Sequence, residues 1–294
     1  MSPETTNRPA ALEPYLFHRL DLDWRPGDKQ ARGECLCGHE MGVEISTGKW
    51  NCFKCGSKGN STTWQQLLWE ESDKATQDYE DLRLDRGLLY PETLMRWGAA
   101  RSVLDGTWLL PGYGVRRTIT QVYRYVPIKG RMRLIACKGS KQALFGLGLY
   151  DPDKSEVWVC EGAWDAMALW EVLGACRVDD DGKLVRTANP EAAMLSSINV
   201  VAVPGCNAWN PSWNLLLKDK DVVLLYDNDH PGVHPRTGEP TKPAALAGMH
   251  RVVGSLSSGP YRPATLRLLC WGELWYDPAR PSGYDVRDLL TGGA

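Results

Sequence analysis

The feature that most constrains the fold is the alternation of apolar segments that begins at residue 156. Four segments rich in valine and leucine are predicted to be strands: EVWVC, INVVAVPG, VVLLYD and ATLRLLCW. Segments with apolar residues at helical spacing, 163–174 and 243–256, lie between them. Strands that are apolar along their whole length are buried on both faces, so the pattern predicts a parallel sheet covered by helices. Residues 177–197 lie where a short connection would suffice, and we expect an inserted hairpin or loop there.

The length and composition are those of a globular protein. The chain has 294 residues, of which 43% are hydrophobic and 24% charged, enough for two domains or a domain and a small module. No apolar run reaches the roughly 18 residues that a membrane span needs. The first residues, MSPETTNRPAALEP, lack the apolar core of a signal peptide. We therefore expect a cytoplasmic protein with reduced cysteines.

Charge is distributed unevenly along the chain, although the formal net charge is only −2. Residues 101–150 contain nine basic residues and a single acidic one, Asp105, whereas the segments on both sides have an excess of acids. Basic surfaces attract polyanions and clustered acids attract divalent cations. The chain could therefore bind both.

Four of the nine cysteines lie close together, in the segment GECLCGHEMGVEISTGKWNCFKCGSKGN. Cys52 and Cys55 form a C-x2-C pair followed by glycine, and Cys35 and Cys37 supply a second pair. Two short pairs separated by a hairpin can provide the four ligands of a tetrahedral zinc ion. Because the first pair is C-x-C, His39 is an alternative ligand. The pattern predicts one structural zinc ion in a small β-rich zinc ribbon.

Aromatic and basic residues surround the second cysteine pair. Trp50 and Phe53 are accompanied by lysines 49, 54 and 58. These aromatic side chains could stack on single-stranded bases, or they could form the small core of the module. The sequence leaves both interpretations open.

Carboxylates follow the predicted strands at three places. Glu161 follows the first strand and Asp165 comes one helical turn later, Asp227 and Asp229 follow the third, and GYDVRDLL lies beyond the fourth. The carboxyl ends of parallel strands share one edge of a sheet, so these acids are expected to converge. Taken singly, Asp165 could cap its own helix, Asp227 and Asp229 could belong to an ordinary loop, and Asp288 could be solvated. Together they predict a site for Mg²⁺, which favours carboxylates, water and phosphate oxygens.

These motifs, in this order, resemble those of bacterial and bacteriophage DNA primases. EGAWDAMAL, YDNDHPG and GYDVRDLL are similar to the three acidic motifs of the TOPRIM domain, and the cysteine module is similar to the primase zinc-binding domain. DRGLLYPETLMRWGA, WLLPGYG and KGSKQALFGL are similar to the basic subdomain of phage-type primases. The resemblance implies an arm and zinc-binding domain over 1–71, a linker over 72–81, a mixed α+β basic subdomain over 82–150 and a TOPRIM domain over 151–294.

The resemblance also implies roles for individual residues. Glu161 would be the catalytic carboxylate, and with Asp227 and Asp229 it would hold one or two Mg²⁺ or Mn²⁺ ions. The supporting acids would be Asp165, Asp285 and Asp288, and the residues that bind nucleotide or template would be Arg131, Arg133, Lys138 and Lys141. For those four basic residues the alternative is a solvated strand face. The third motif departs from the family pattern, because Tyr284 stands where lysine is usual and Arg287 where asparagine is common.

The implied reaction is synthesis of short RNA primers from nucleoside triphosphates on single-stranded DNA. No G-x4-G-K-[ST] motif occurs, so a replicative helicase would be a separate protein. One alternative is a zinc and TOPRIM scaffold that binds single-stranded DNA without chemistry, like a recombination mediator. Another is a TOPRIM nuclease, which would share the acids but not need the basic block.

Overall fold

A computed structural model of the chain describes residues 9–74, 79–88, 90–138, 140–181, 183–273 and 275–291. The described residues form two compact units. The first contains the residues up to 74 together with 98–112 and 119–141, and the second contains 79–97, 113–118 and the residues from 142 onward. The domain boundaries inferred from sequence remain predictions. The start of the predicted arm, residues 1–8, and part of the predicted linker, residues 75–78, lie outside the described residues.

The first unit begins with an antiparallel sheet in which each strand pairs with the next along the chain. Its five strands are β1 (Leu22–Asp23), β2 (Gln30–Glu34), β3 (Glu40–Glu44), β4 (Trp50–Cys52) and β5 (Lys58–Gly59). Helix α1 (Glu13–Phe17) precedes the sheet and α2 (Ser61–Glu71) follows it. The Asn60 side chain accepts the backbone N–H groups of Thr62 and Thr63 and so caps α2.

A second sheet completes this unit. Its strands, in spatial order, are β6 (Ala100–Arg101), β7 (Trp108–Tyr113), β8 (Ile119–Ile128) and β9 (Arg131–Ile135). Strands β8 and β9 are antiparallel and joined by Lys129 and Gly130, both with positive φ, as a two-residue hairpin turn requires. Val122 of β8 and Trp64 of α2 share one buried apolar cluster with Met41 of the first sheet. The cysteine module and the basic strands therefore have a common core.

The second unit is organised by a four-stranded parallel sheet in the order β13-β10-β14-β15. The strands are β10 (Glu156–Cys160), β13 (Ile198–Ala202), β14 (Asp221–Leu225) and β15 (Thr265–Leu268). The prediction of a parallel sheet is confirmed. Cys160 at the end of β10 lies opposite both Ala202 and Leu225, so three strands end at one level.

Two long helices connect these strands. Helix α5 (Ala163–Ala175) joins β10 to β13, which lies at one edge of the sheet. Helix α7 (Ala244–Ser258) joins β14 to β15, which lies at the other edge. Right-handed crossovers in opposite directions place the two helices on opposite faces of the sheet. The predicted insertion is a hairpin of β11 (Cys176–Val178) and β12 (Leu184–Arg186). The remaining α-helices of the described residues are α3 (Glu80–Arg86), α4 (Pro91–Arg96), α6 (Asn214–Leu217) and α8 (Val286–Thr291).

One core cluster of the sheet lies on the α7 face. It packs Val157 and Leu224 of the strands against Met249 and Val252 of the helix. Each fully buried aliphatic side chain of this kind contributes roughly 1.5–3 kcal/mol to folding. No helix within the described residues is both long and apolar enough to span a lipid bilayer.

Candidate metal centre and active site

The four predicted cysteines converge in the first unit. The Sγ atoms of Cys35 and Cys55 are 3.9 Å apart, those of Cys37 and Cys52 are 3.6 Å apart, and all four lie within 4.8 Å of one another. Tetrahedral zinc with bonds of about 2.3 Å to sulfur places its ligands roughly 3.8 Å apart. The group therefore fits one structural zinc ion.

The backbone around each cysteine pair folds as a tight turn. Gly38 has φ 76° and donates its N–H to the Cys35 carbonyl, and Gly56 has φ 75° and donates to the Cys52 carbonyl. Each turn thus ends at a glycine with positive φ directly after the second cysteine, and the turn is one residue longer in the second pair. The Nδ1 atom of His39 lies 3.0 Å from the Cys37 carbonyl oxygen, and His39 is not a member of the four-cysteine group.

The two aromatic residues of the module have different environments. Trp50 is 4% exposed, and its indole N–H donates to the Asn60 carbonyl, so it belongs to the core. Phe53 is 86% exposed at the tip of the second cysteine turn. The core interpretation therefore holds for Trp50, while Phe53 presents a free aromatic face beside an exposed lysine, Lys54.

The parallel sheet brings Glu161 to Asp227. The two residues extend neighbouring strands that end in register, and the Asp227 backbone N–H donates to Glu161 Oε2 at 3.3 Å. Burial is the main cause that raises the pKa of Glu161 to about 7, and Asp229 raises it further. Burial raises the pKa of Asp227 to about 10, and Glu161, Asp165 and Asp285 act in the same direction. Among the residues that the structure describes, neither Glu161 nor Asp227 has an ion-pair partner that would hold it ionised.

Asp229 is held at the start of α7. Its Oδ2 accepts the backbone N–H of Ala245 in the first turn of that helix, at 3.0 Å. Asp229 is also close enough to Glu161 and Asp227 for its charge to raise the pKa of both carboxyls. Asp229 thus links the acidic cluster to the helix that covers the sheet.

Asp165 and Asp285 form a buried pair. Helix α8 packs against α5, and burial followed by the charge of Asp285 raises the pKa of Asp165 well above its usual value. Arg287 donates to Asp285 at 2.9 Å and partly opposes that rise. The arginine of the variant third motif therefore offsets the charge of this pair. A Cβ at Gly162 would lie 2.6 Å from Asp165 Oδ2, so a larger residue there would displace this carboxylate.

The last supporting acid has a local structural contact. Asp288 Oδ2 accepts the Asp285 backbone N–H at 3.2 Å, and Asp285 Oδ1 accepts the Asp288 N–H at 2.8 Å. This reciprocal pair resembles a capping box at the start of α8. Sequence reasoning missed Asn228, which is fully buried and fixes the segment before α8 through hydrogen bonds with Asp277 and Pro281. In the sequence, the only feature that pointed to Asn228 was its position between Asp227 and Asp229.

The acids form a looser group than the cysteines. Within the described part of the chain, only the cysteines form a group of three or more such donors that all lie within 4.8 Å of one another. A hard divalent cation suits the looser arrangement, because Mg²⁺ keeps several waters and binds one or two carboxylates together with phosphate oxygens. Glu161, Asp227 and Asp229 are the residues that would hold it.

The predicted basic residues separate into two pairs in the first unit. Lys138 and Lys141 line a groove of about 560 Å³ together with Ser61 and Thr62 of α2. Arg131 and Arg133 are exposed on β9 and do not line this groove. Gly139, between the two lysines, lies outside the described residues. The alternative of a solvated strand face fits the arginines better than the lysines.

The acidic cluster predicts a pH-dependent effect of divalent cations on stability. Glu161 and Asp227 have raised pKa values in the folded protein, so above pH 4 to 5 the folded state holds protons that the unfolded chain releases. Without a cation, their contribution to stability therefore falls as the pH rises toward 7 for Glu161 and 10 for Asp227. A bound cation removes this cost, so the rise in melting temperature caused by 5 mM Mg²⁺ is expected to be larger at pH 8.5 than at pH 5.5. An equal rise at both pH values would contradict a carboxylate site.

Comparison with known proteins found similarity only among solved structures. No family model matches the chain, and no curated protein matches it. The primase of Aquifex aeolicus, with its zinc-binding and RNA polymerase domains, is 15% identical, with 96% of this chain and 80% of that chain covered and a TM-score of 0.48. The primase fragment of the bacteriophage T7 primase-helicase is 15% identical, with coverage of 88% and 94% and a TM-score of 0.41. The RNA polymerase domain of the Mycobacterium tuberculosis primase is 12% identical, with coverage of 79% and 77% and a TM-score of 0.44.

Proposed function

We propose that this protein is a DNA primase, a nucleotidyltransferase that joins ribonucleoside triphosphates into short RNA primers on single-stranded DNA. The observation that carries the proposal is the contact between Glu161 and Asp227 at the carboxyl edge of the parallel sheet. Buried carboxylates that raise one another's pKa are unfavourable unless a cation joins them. A scaffold that only binds DNA has no need of such a cluster.

The proposed reaction assigns a task to each carboxylate. Asp227 and Asp229 would hold one or two Mg²⁺ or Mn²⁺ ions. Glu161, whose pKa is about 7, is suited to complete the coordination or to accept the proton of the attacking 3′ hydroxyl. A divalent cation, when bound, stabilises the charge that develops on the α-phosphate and on the departing pyrophosphate. Arg287 keeps the Asp165–Asp285 pair from adding uncompensated charge to the site.

The first unit would hold the polyanionic partners. Lys138 and Lys141 have no carboxylate within ion-pair distance among the described residues, so both charges are available for phosphate of nucleotide or template. The exposed Phe53 beside Lys54 offers a stacking surface for a template base. A replicative helicase would come from a separate protein, and the site of action would be the bacterial cytoplasm, that of the host if the protein is phage-encoded.

One incubation distinguishes the three candidate functions. The protein is mixed with a mixed-sequence single-stranded DNA, four NTPs and Mg²⁺, and the products are resolved on a denaturing gel. Short RNA that appears only with template supports the primase. Shortened DNA would indicate a nuclease, and a mobility shift without any new product would indicate a scaffold.

The lysine groove predicts a salt-sensitive contribution to DNA binding. Each phosphate contact to a single strand contributes about −0.7 to the slope of log affinity against log salt concentration. Replacing Lys138 and Lys141 together by alanine is expected to weaken binding of a labelled single strand about tenfold at 50 mM salt. The negative slope should become shallower by about 1.4, because two phosphate contacts are lost. Fluorescence anisotropy over a salt series measures both quantities. Lys218→Ala, which removes an exposed lysine beside Asp219, is the matched control and should leave the slope unchanged.

A further inference from the structure

The loop between β15 and α8 is bonded to the acidic segment that follows β14. The Asn228 side chain donates to the carbonyls of Asp277 and Pro281, and it accepts the Asp277 backbone N–H at 2.7 Å. The Asn228 backbone N–H donates to the Tyr284 carbonyl at 2.8 Å. Asn228 lies between the two aspartates that would hold the cation. The loop is therefore fixed beside the candidate cation site.

One arginine of this loop is held against two aromatic rings. The guanidinium carbon of Arg280 lies 4.7 Å from the centroid of the Tyr284 ring and 5.8 Å from that of the Trp271 ring. The Trp271 ring meets Tyr284 edge to face, and its indole N–H donates to the Tyr226 carbonyl at 2.7 Å. The Arg280 Nε donates to Asp277 Oδ2 at 3.2 Å. These contacts fix the direction of the arginine side chain, although it is 37% exposed.

The outer nitrogens of Arg280 are available to a ligand. A guanidinium has five N–H donors, and Asp277 accepts only the one on Nε. Among the residues that the structure describes, neither Nη atom of Arg280 has a hydrogen-bond acceptor. Arg287 differs, because its Nη2 donates to Asp285 and lies 3.8 Å from Asp288. Arg280 is therefore the better placed of these two arginines to receive an anion from solution.

Charge and geometry at this edge of the sheet favour a phosphate as that anion. Paired Nη donors match two oxygens of one phosphate group. A nucleoside triphosphate at the acidic cluster meets several carboxylates, and a divalent cation would offset only part of the combined negative charge. The loop is bonded to the residue between two of the proposed cation ligands, so the phosphates of a cation-bound triphosphate would be the nearest ones.

We propose that Arg280 binds the β- and γ-phosphates of the incoming nucleoside triphosphate, with Tyr284 and Trp271 holding the guanidinium in place. The proposal rests on the proposed function, because it assigns this arginine a part in the same site. In the reaction, the 3′ oxygen gives its proton to a base and bonds to the α-phosphorus. The bond from that phosphorus to the bridging oxygen breaks, and its electron pair leaves with pyrophosphate. Arg280 stabilises the negative charge that the pyrophosphate gains.

Two nucleotides separate a phosphate contact from a structural role of the loop. Affinities for ATP and AMP in the presence of Mn²⁺ are measured by competition against a fluorescent ATP analogue, for the parent protein and for Arg280→Gln. We expect the variant to bind ATP about tenfold more weakly and AMP as the parent does, because AMP lacks the two outer phosphates. Equal losses for both nucleotides, or no loss for ATP, would overturn the proposal. Arg262→Gln, at an exposed arginine before β15, is the matched control and should behave as the parent.

Two further measurements identify the source of the phosphate and keep this test separate from the proposed function. Arg280→Gln should bind a labelled single strand with the affinity of the parent, and weaker DNA binding with unchanged ATP binding would overturn the proposal in favour of a template contact. In primer synthesis, the variant should raise KM for NTP about tenfold, and an unchanged KM would contradict the phosphate contact. Absence of primer synthesis by the parent protein would overturn the proposed function, whereas the ATP and AMP affinities would still test Arg280.

Discussion

Asp227→Asn is expected to abolish primer synthesis while leaving the protein folded. The substitution removes a carboxylate from the proposed cation site, and such a loss lowers the rate by at least about three orders of magnitude. Burial and four neighbouring acids raise the pKa of Asp227 to about 10, so its ionised form is unfavourable in the folded state without a cation. The neutral asparagine should therefore melt at the same or a higher temperature in Mg²⁺-free buffer. Synthesis assays and thermal melting are run on the same preparation.

A control substitution at the other end of β14 distinguishes loss of the cation site from a general effect on folding. Asp221 is the first residue of β14 and accepts a hydrogen bond from the Thr265 hydroxyl. Asp221→Asn makes the same chemical change as Asp227→Asn, but at the start of β14, away from the carboxyl edge of the sheet. It should retain synthesis within about threefold. If Asp227→Asn were active, or if both variants were inactive, the assignment of Asp227 would be wrong.

Cys52→Ser is expected to reduce the zinc content from one ion per chain to near zero and to unfold the cysteine module. Cys52 is fully buried in β4, and its thiol contacts that of Cys37. Zinc binding contributes about 10–16 kcal/mol to the folding of small zinc modules, more than the total stability of most domains. Because this module shares a core with α2 and β8, the loss should also lower the melting temperature of the first unit. Elemental analysis and thermal melting measure the two effects.

Three further variants test which residues bind the metal. His39→Ala should keep one zinc ion per chain, because the histidine contacts the Cys37 carbonyl and does not belong to the four-sulfur group. Cys270→Ser replaces an exposed cysteine in the second unit and should also keep the ion. Loss of zinc in His39→Ala together with its retention in Cys37→Ser would favour the histidine as the ligand.

Much of the second unit follows from local sequence pattern. The strands predicted at 156–160 and 198–205 and the helix predicted at 163–174 are observed at 156–160, 198–202 and 163–175, because valine-rich runs and helical spacing are both local signals. The register between β10 and β14 could not be derived from those signals, because the two strands are far apart in the sequence and pair only in the folded sheet. It is the register that puts Glu161 beside the Asp227 backbone.

The details of the candidate site depended on contacts between distant parts of the chain. Arg287 was recognised as a departure from the family pattern, but its contact with Asp285 and its effect on Asp165 require the packing of α8 on α5.

The position of a bound divalent cation tests the central claim most directly. Crystals of the protein soaked with Mn²⁺ can be measured at the manganese edge, where anomalous scattering locates the ion without reference to activity. We expect a peak bonded to carboxylate oxygens of Asp227 and Asp229, with Glu161 as a further ligand or facing a bound water. A peak at another set of residues, or none beside Asp227 at a concentration that supports RNA synthesis, would contradict the account.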